Sequence, residues 1–304
     1  MKKVFIINPK TNWKQQYEWM ESLKKANFKD QIVIEKTQGP GYALNIAQKY
    51  ALEAQKEPIH IFACGGDGTL HEVVNGIGQS ENIYLSVCPM GTGNDFVKSF
   101  PQYNKKDFLN MENYQEPIEQ VIDCLKVNGE YVINTASFGF DVRVAEYANQ
   151  IKKVIPLKGI LPYYTGMLGT LFECPKVQIA MQIDEERIPF DSYMFVVFCN
   201  GKYYGGGYQP CPKAELSDGL LDSCLIPSVS RRQILKLAKL YQKGEHVQFS
   251  DLVRLKKAKV VHIDTNNQNL LANLDGEVRS LKNPTIEVLE KSIHLLLPNL
   301  GDVQ

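Results

Sequence analysis

Short apolar runs alternate with longer segments of helical period through the first third of the chain. Val4–Ile7 reads as a buried strand that stops at Asn8-Pro9. Trp13–Ala26 carries Tyr17, Met20, Leu23 and Lys24 at roughly helical spacing and predicts a helix. Strand Ile32–Glu35, helix Tyr42–Gln55 (entered after Gly39-Pro40-Gly41) and strand Ile59–Ala63 follow. Helix Leu70–Ile77, apolar at Leu70, Val73, Val74 and Ile77, leads to strand Ile83–Cys88. Apolar strands alternating with helices predict a parallel, doubly wound sheet. Ligands bind such sheets at the carboxyl ends of the strands.

The texture changes near residue 125. Tyr131–Ser137, Val177–Ile183, Ser192–Cys199, Gly219–Leu225, Val260–Asp264 and Ser292–Leu297 read as strands joined by hairpin-like or irregular segments. Ile118–Leu125, Val142–Lys153, Tyr163–Phe172 and Arg231–Lys243 read as helices. The pattern predicts an α/β domain over residues 1–127 and a second, mostly antiparallel β domain over 128–304, with the last ~15 residues as candidates for return to the first.

Composition narrows the classes. The 304 residues suffice for about two domains at roughly 100–200 residues each. Lysine plus arginine and aspartate plus glutamate each total 34, so bulk positive charge for nucleic acid is missing and no nucleic-acid partner is expected. Seven cysteines form no C-x-x-C pair and do not cluster with the histidines, which predicts neither a zinc site nor a disulfide framework. The apolar stretch of MKKVFIINPK is too short for a signal peptide. No run approaches the ~18 apolar residues a membrane helix needs. The expectation is a cytoplasmic protein, peripheral to a membrane at most.

The segment CGGDGTLHEVVNG, Cys64 to Gly76, carries the chemistry. Gly65 and Gly66 permit a tight turn against a ligand. Thr69 and Glu72 fit the capping-box spacing T-x-x-E, so a helix start faces any bound anion. The lysine of an ordinary P-loop is missing, and Asp67 stands among the glycines. A carboxylate beside polyphosphate needs an intervening cation, for which Mg²⁺ with oxygen ligands is suited; a solvated turn aspartate is the plain alternative. A second strand leads into PMGTGNDF, Pro89 to Phe96. With Asn8-Pro9-Lys10-Thr11, three successive strand ends carry small and polar residues of the kind that hold phosphate.

GGDGTLHEVVNG and GTGNDF, with AELSDGLLDSCLI (Ala214–Ile226) and NLDGE (Asn273–Glu277), resemble the diacylglycerol kinase catalytic domain in its bacterial soluble lipid-kinase branch, a domain sphingosine kinases share. The resemblance runs over essentially the whole chain. It implies an α/β nucleotide domain like those of NAD kinases and phosphofructokinases, then a β-sandwich, with ATP and a lipid headgroup meeting between them. The implied reaction is ATP- and Mg²⁺-dependent transfer of the γ-phosphoryl group to diacylglycerol, giving phosphatidic acid. A kinase of a sphingoid or polyprenol-like alcohol and an inactive nucleotide-binding regulator are the other readings. Intact Asp67, Asp218, Asp275 and Glu277 speak against the regulator. The family's sheet edges commonly pair, which implies a homodimer.

Site roles follow from the same resemblance. Asn8, Pro9, Lys10, Thr11, Asn12 and Thr37 would line the nucleotide. Gly65, Gly66, Asp67, Gly68, Thr69, Leu70, His71 and Glu72 would wrap its phosphates, and Thr92 would add a hydroxyl. Asn94 and Asp95 would fix the second loop or the metal's water shell. Family members often carry Ser-Gly after Asn-Pro where this chain has Lys10-Thr11, and Lys10 fits either a phosphate contact or a solvated lysine. Asp218 with the carbonyls of Glu215 and Leu220 would bind a structural Mg²⁺, in the stretch that ends at Asp222. Asp123 would join that metal's water network and reach toward Asp67. Asp275 and Glu277 both qualify as catalytic carboxylates, with Glu277 favoured as proton acceptor and Asp275 orienting or sharing the metal.

Three segments bear on a lipid partner presented at a membrane surface. Pro162–Phe172 is aromatic and apolar. Arg231–Gly244 sets Arg232, Lys236, Lys239 and Lys243 against Ile234, Leu237, Ala238 and Tyr241, which fits a membrane-lying helix or one packed on its own domain. Tyr203–Tyr208 fits an acceptor-pocket wall or a mobile glycine loop.

Overall fold

A computed structural model describes residues 1–154, 166, 169, 170, 173 and 175–301. The chain divides into two compact units, Met1–Asp123 with Glu290–Gln304, and Cys124–Leu289.

The first unit is built from β1 (Lys2–Ile7), α1 (Trp13–Ala26), β2 (Ile32–Lys36), α2 (Tyr42–Glu53), β3 (Ile59–Gly65), α3 (Asp67–Ile77), β4 (Ile83–Pro89) and the short α4 (Lys105–Leu109). The strands pair in parallel in the order β4-β3-β1-β2, and the end of the chain's last strand adds beside β4 through His294↔Tyr84. Phe5 stacks on Phe62 at 4.3 Å between ring centroids, with Trp19 and Tyr114 edge-on to them. The register Ile7↔Cys64 and Cys64↔Cys88 brings the ends of β1, β3 and β4 to one level, so the loops that follow emerge side by side.

The second unit begins within β5 (Ile118–Val127) and continues through β6 (Glu130–Val132), β7 (Thr135–Gly139), α5 (Phe140–Val154), β8 (Val177–Ile183), β9 (Glu186–Cys199), β10 (Leu221–Pro227), α6 (Arg231–Lys243), β11 (Arg254–Ala258), β12 (Val260–Asp264), β13 (Leu270–Leu274), β14 (Glu277–Leu281) and the first part of β15 (Thr285–Leu297). Its pairings are antiparallel, in the order β14-β13-β7-β9-β8-β12-β15 with β10 and β11 branching from β9. Phe138, Val196, Phe198, Leu225, Val261 and Ile286 are among its fully enclosed side chains.

Two expectations about elements change, and a third is not tested. Ile118–Leu125 is a strand, not a helix. It forms a hairpin with β6 through Asn128 (φ 47°) and Gly129 (φ 94°), and an Asn-Gly pair between apolar runs selects a two-residue hairpin turn. Tyr131–Ser137 is two strands, interrupted where the backbone N–H groups of Ile133 and Asn134 turn to a carboxylate. The helix expected at Tyr163–Phe172 lies almost wholly outside the described residues.

Candidate active site

The two glycine loops of the first unit touch. Met90 N–H and Gly91 N–H both donate to Gly65 O, at 2.7 and 3.1 Å. A Cβ on Gly91 would lie 2.4 Å from Gly66 Cα, and one on Gly65 would lie 2.2 Å from Thr69 Oγ1, so neither position has room for a side chain. Asn94, at φ 48°, closes the second loop: its Oδ1 accepts from Gly91 N–H at 2.9 Å and its Nδ2 donates to Gly91 O at 2.7 Å. Asp95 N–H donates to Asp67 Oδ1 at 2.7 Å. Between the loops is a small cleft of about 10 Å³ whose walls include Gly66, Asp67, Leu70, Asn94 and Phe96.

Burial, then the Asp95 charge, push the Asp67 carboxyl up to about 6, against the pull of the N–H groups of Asp95, Phe96 and Asn94. Asp95 itself is held by Lys98 Nζ at 2.6 Å. An acid raised by burial and a like charge regains its charged form when a cation arrives. Asp67 therefore fits an oxygen-liganded divalent ion, and the N-terminus of α3 beside it fits an anion.

The flanking residues divide into those that meet the cleft and those that build it. Asn8 Oδ1 accepts from Lys10 N–H at 3.0 Å, and Thr11 Oγ1 donates to Asn8 O at 2.9 Å, so the first loop is internally tied. Pro9, Lys10 and Asn12 are exposed, and Asn12 caps α1 by accepting from Lys14 N–H. Thr37 is buried, its N–H on Ile7 O at 2.9 Å. Gly68 and Thr92 are exposed at the loop surfaces.

The expected capping box at Thr69 does not form. α3 starts two residues before Thr69, with Gly66 as its cap and no side-chain cap bond. Glu72 instead accepts from Gly41 N–H at 2.8 Å and Ala43 N–H at 3.0 Å, so it caps α2. Its carboxylate, like the buried side chain of His71, serves the unit's interior. Asp123, also in this unit, accepts from Lys291 N–H at 2.7 Å and is fully buried.

In the second unit, Asp275 (φ 50°) occupies the β13–β14 turn. Its Oδ2 accepts from Ile133 N–H at 2.8 Å, and its Oδ1 from Asn134 and Thr135 N–H at 3.0 and 2.9 Å. Three backbone donors make this carboxylate a fastener of the turn. Glu277, two residues on, is exposed and only loosely paired with Arg279 at 3.7 Å, because that guanidinium is engaged by both oxygens of Glu130.

The stretch expected to hold a structural metal is arranged otherwise. Lys257 Nζ lies 2.6 Å from Asp218 Oδ2 and 3.2 Å from Asp222 Oδ2. Asp218 Oδ1 accepts from Leu220 N–H at 3.1 Å, and Glu215 is exposed. An ammonium group stands between the two carboxylates, which does not fit an open cation site there. Among the described residues no cluster of three or more His, Cys, Asp or Glu is poised to hold a metal.

Asp141, which no motif singled out, is buried in the first turn of α5. Neither oxygen has a hydrogen bond of good geometry. Burial pushes its carboxyl up to about 6, moderated by the facing Ser137 hydroxyl, Val142 N–H and Tyr204 hydroxyl. α6 turns Ile234 onto Phe140, Val144 and Met194, and buries Leu237 and Tyr241, so its apolar face belongs to its own domain. Tyr204 and Tyr208 pack on Tyr241, which makes Tyr203–Tyr208 a cover of that core. Pro162–Phe172 lies almost wholly outside the described residues.

Comparison with known proteins agrees with this architecture. The family described as "Diacylglycerol kinase catalytic domain" matches residues 2–127, and the "YegS C-terminal NAD kinase beta sandwich-like domain" matches 134–297. The chain belongs to the diacylglycerol kinase family of lipid kinases. A diacylglycerol kinase of Bacillus subtilis (strain 168) is 28% identical over 85% of this chain and 83% of its own. One from Mycobacterium tuberculosis (strain ATCC 25618 / H37Rv) is 28% identical over 79% of this chain and 77% of its own. A solved structure from Bacillus anthracis str. Sterne superposes with a TM-score of 0.77 at 25% identity, covering 97% of each chain. Among the described residues no helix is long and apolar enough to cross a membrane.

Proposed function

We propose that this lipid kinase transfers the γ-phosphoryl group of ATP to the hydroxyl of diacylglycerol, giving phosphatidic acid. The observation that carries the reading is the pair of interlocked glycine loops with a half-buried Asp67 between them, its carboxyl pushed up to about 6. The loops offer backbone N–H groups and a helix start to phosphate oxygens, and Asp67 would hold the Mg²⁺ that accompanies the nucleotide, directly or through water. That ion, when bound, neutralises charge on the phosphates. The relatives named diacylglycerol kinase support the acceptor.

Glu277 takes the hydroxyl proton. It is exposed beside a turn that Asp275 fixes through three N–H bonds, and its ion pair with Arg279 is a loose 3.7 Å. Asp141 supports an acceptor contact in the same unit. Ser137, Val142 and Tyr204 face this buried carboxyl without hydrogen bonds of good geometry, and a lipid hydroxyl would add a well-placed donor. The acceptor is presented at a bilayer. An exposed stripe on α1, with Trp13 at 78% and Tyr17 at 62% exposure and Met20 and Lys24 in line, supports peripheral contact.

The test is incubation with γ-labelled ATP, Mg²⁺ and a panel of lipid alcohols in mixed micelles. Labelled phosphatidic acid is expected. Label confined to a sphingoid or polyprenol alcohol would replace the acceptor, an outcome kept open by relatives whose descriptions name a lipid kinase without an acceptor. ATP binding with no label in any lipid would overturn the enzyme reading.

A further inference from the structure

We propose that Lys105 supplies the positive charge of the nucleotide site, its ammonium group binding phosphate oxygens beside the second glycine loop. The inference rests on the reading that nucleotide phosphates occupy the two loops. Neither loop motif contains a lysine, and the sequence offered only Lys10 for that part. Lys10 is exposed at the surface of the first loop, and only its backbone is tied down.

Lys105 opens α4, fourteen residues beyond Gly91, and returns to that loop: its Nζ lies 3.5 Å from Gly91 O. Gly91 is the residue whose Cα abuts Gly66, so the ammonium group sits next to the junction of both loops. Gln15 of α1 holds it in place. With its carboxamide oxygen toward Lys105, Gln15 accepts from Nζ at 2.7 Å, and its nitrogen donates to Met90 O at 3.2 Å. Three elements thus hold one amine beside the loop junction.

The amine lacks a counter-charge. Several other half-buried or buried lysines have one: Lys3 with Asp30, Lys98 with Asp95, Lys126 with Glu287 and Lys256 with Glu186. Lys105 has neutral oxygen partners alone among the described residues. Partial burial pulls its pKa down from the ordinary lysine value, the signature of a cation short of an anion. Asp67 and Asp95 against Lys98 leave the two glycine loops one negative charge in excess, an unfavourable start for a polyanion, and Lys105 offsets it. Phosphate oxygens satisfy the amine in return.

A phosphorylated lipid product would offer the same oxygens, so the test separates the two. K105M, K105Q and K105R are compared with the parent chain by titration with Mg²⁺–ATP without lipid, and by separate KM values for ATP and lipid. All are checked by thermal melting, and K105R keeps the charge should K105M fail to fold. The expected result is a loss of ATP affinity of about ten- to hundredfold in K105M and K105Q, partial rescue in K105R, and an unchanged lipid KM. Parent-like ATP affinity in a folded K105M overturns the assignment, as does a change confined to the lipid KM. A parent protein that fails to bind Mg²⁺–ATP sinks the underlying nucleotide reading as well, a distinct result.

Discussion

The backbone N–H of Asp95 donates to the Asp67 carboxylate at 2.7 Å, so the acid of the first glycine loop fastens the second. That bond answers why an aspartate stands where a P-loop has neutral residues. Asp67 couples two strand ends, and burial plus the neighbouring Asp95 leave it short of positive charge. A site of this kind is incomplete until a cation and its phosphate arrive.

Gly91→Ala tests the junction. The added Cβ would fall 2.4 Å from Gly66 Cα, a backbone atom that cannot swing away. Overpacking of this sort costs about 1–3 kcal/mol. Denaturant unfolding is expected to show that loss, and nucleotide titration a more than tenfold drop in affinity. Parent-like values in both would remove the contact from the account.

Glu72 separates a structural carboxylate from a phosphate-site one. It caps α2 through Gly41 and Ala43. Glu72→Ala is therefore expected to cost about 0.5–2 kcal/mol of stability, as lost N-terminal caps do, with ATP affinity nearly unchanged. Intact stability with a large loss of affinity would return Glu72 to the phosphate site.

Glu277 and Asp275 divide base from fastener. Glu277→Gln is expected to keep the parent melting temperature and ATP affinity and to lower kcat about 10²- to 10⁴-fold. Asp275→Ala strands the N–H groups of Ile133, Asn134 and Thr135 and is expected to destabilise the fold by several kcal/mol. A Glu277→Gln enzyme at parent rate would eliminate that base.

Asp141 predicts a pH-dependent stability. Its carboxyl titrates at about 6 in the folded chain against 3.8 as the reference value. The folded state therefore holds the proton longer than the unfolded state, and stability falls as pH rises from about 4 to 6, then levels. The shift corresponds to about 3 kcal/mol at neutral pH. Asp141→Asn is expected to recover most of it at pH ~7.5 and little at pH ~4, while impairing lipid phosphorylation. Equal stability of parent and variant at both pH values would contradict the assignment.

Much of this was legible along the chain because the signals were local. Trp13–Ala26 and Arg231–Lys243 end where they do because Asn12 and Ser230 cap their starts and Asn27 and Gly244 take left-handed conformations at their ends. The glycine loops were legible as turns with an acid. The rest depended on distant partners. Glu72 reaches back 31 residues to cap α2, and Asp275 reaches back 142 to Ile133. Lys257 reaches Asp218 only because β10 pairs with β11. Ile118–Val127 has apolar spacing compatible with either period, and its strand state is decided by the Asn128-Gly129 turn beyond it. Lys105 lies in no motif, so only the return of α4 to Gly91 identifies it.

The most direct test is a crystal structure with Mg²⁺ and a non-hydrolysable ATP analogue. The account predicts phosphate oxygens within hydrogen-bond distance of the backbone between Gly66 and Thr69, and the metal on Asp67 or on a water that Asp67 holds. Triphosphate bound at any other strand end, with Asp67 still closed on Asp95, would contradict it.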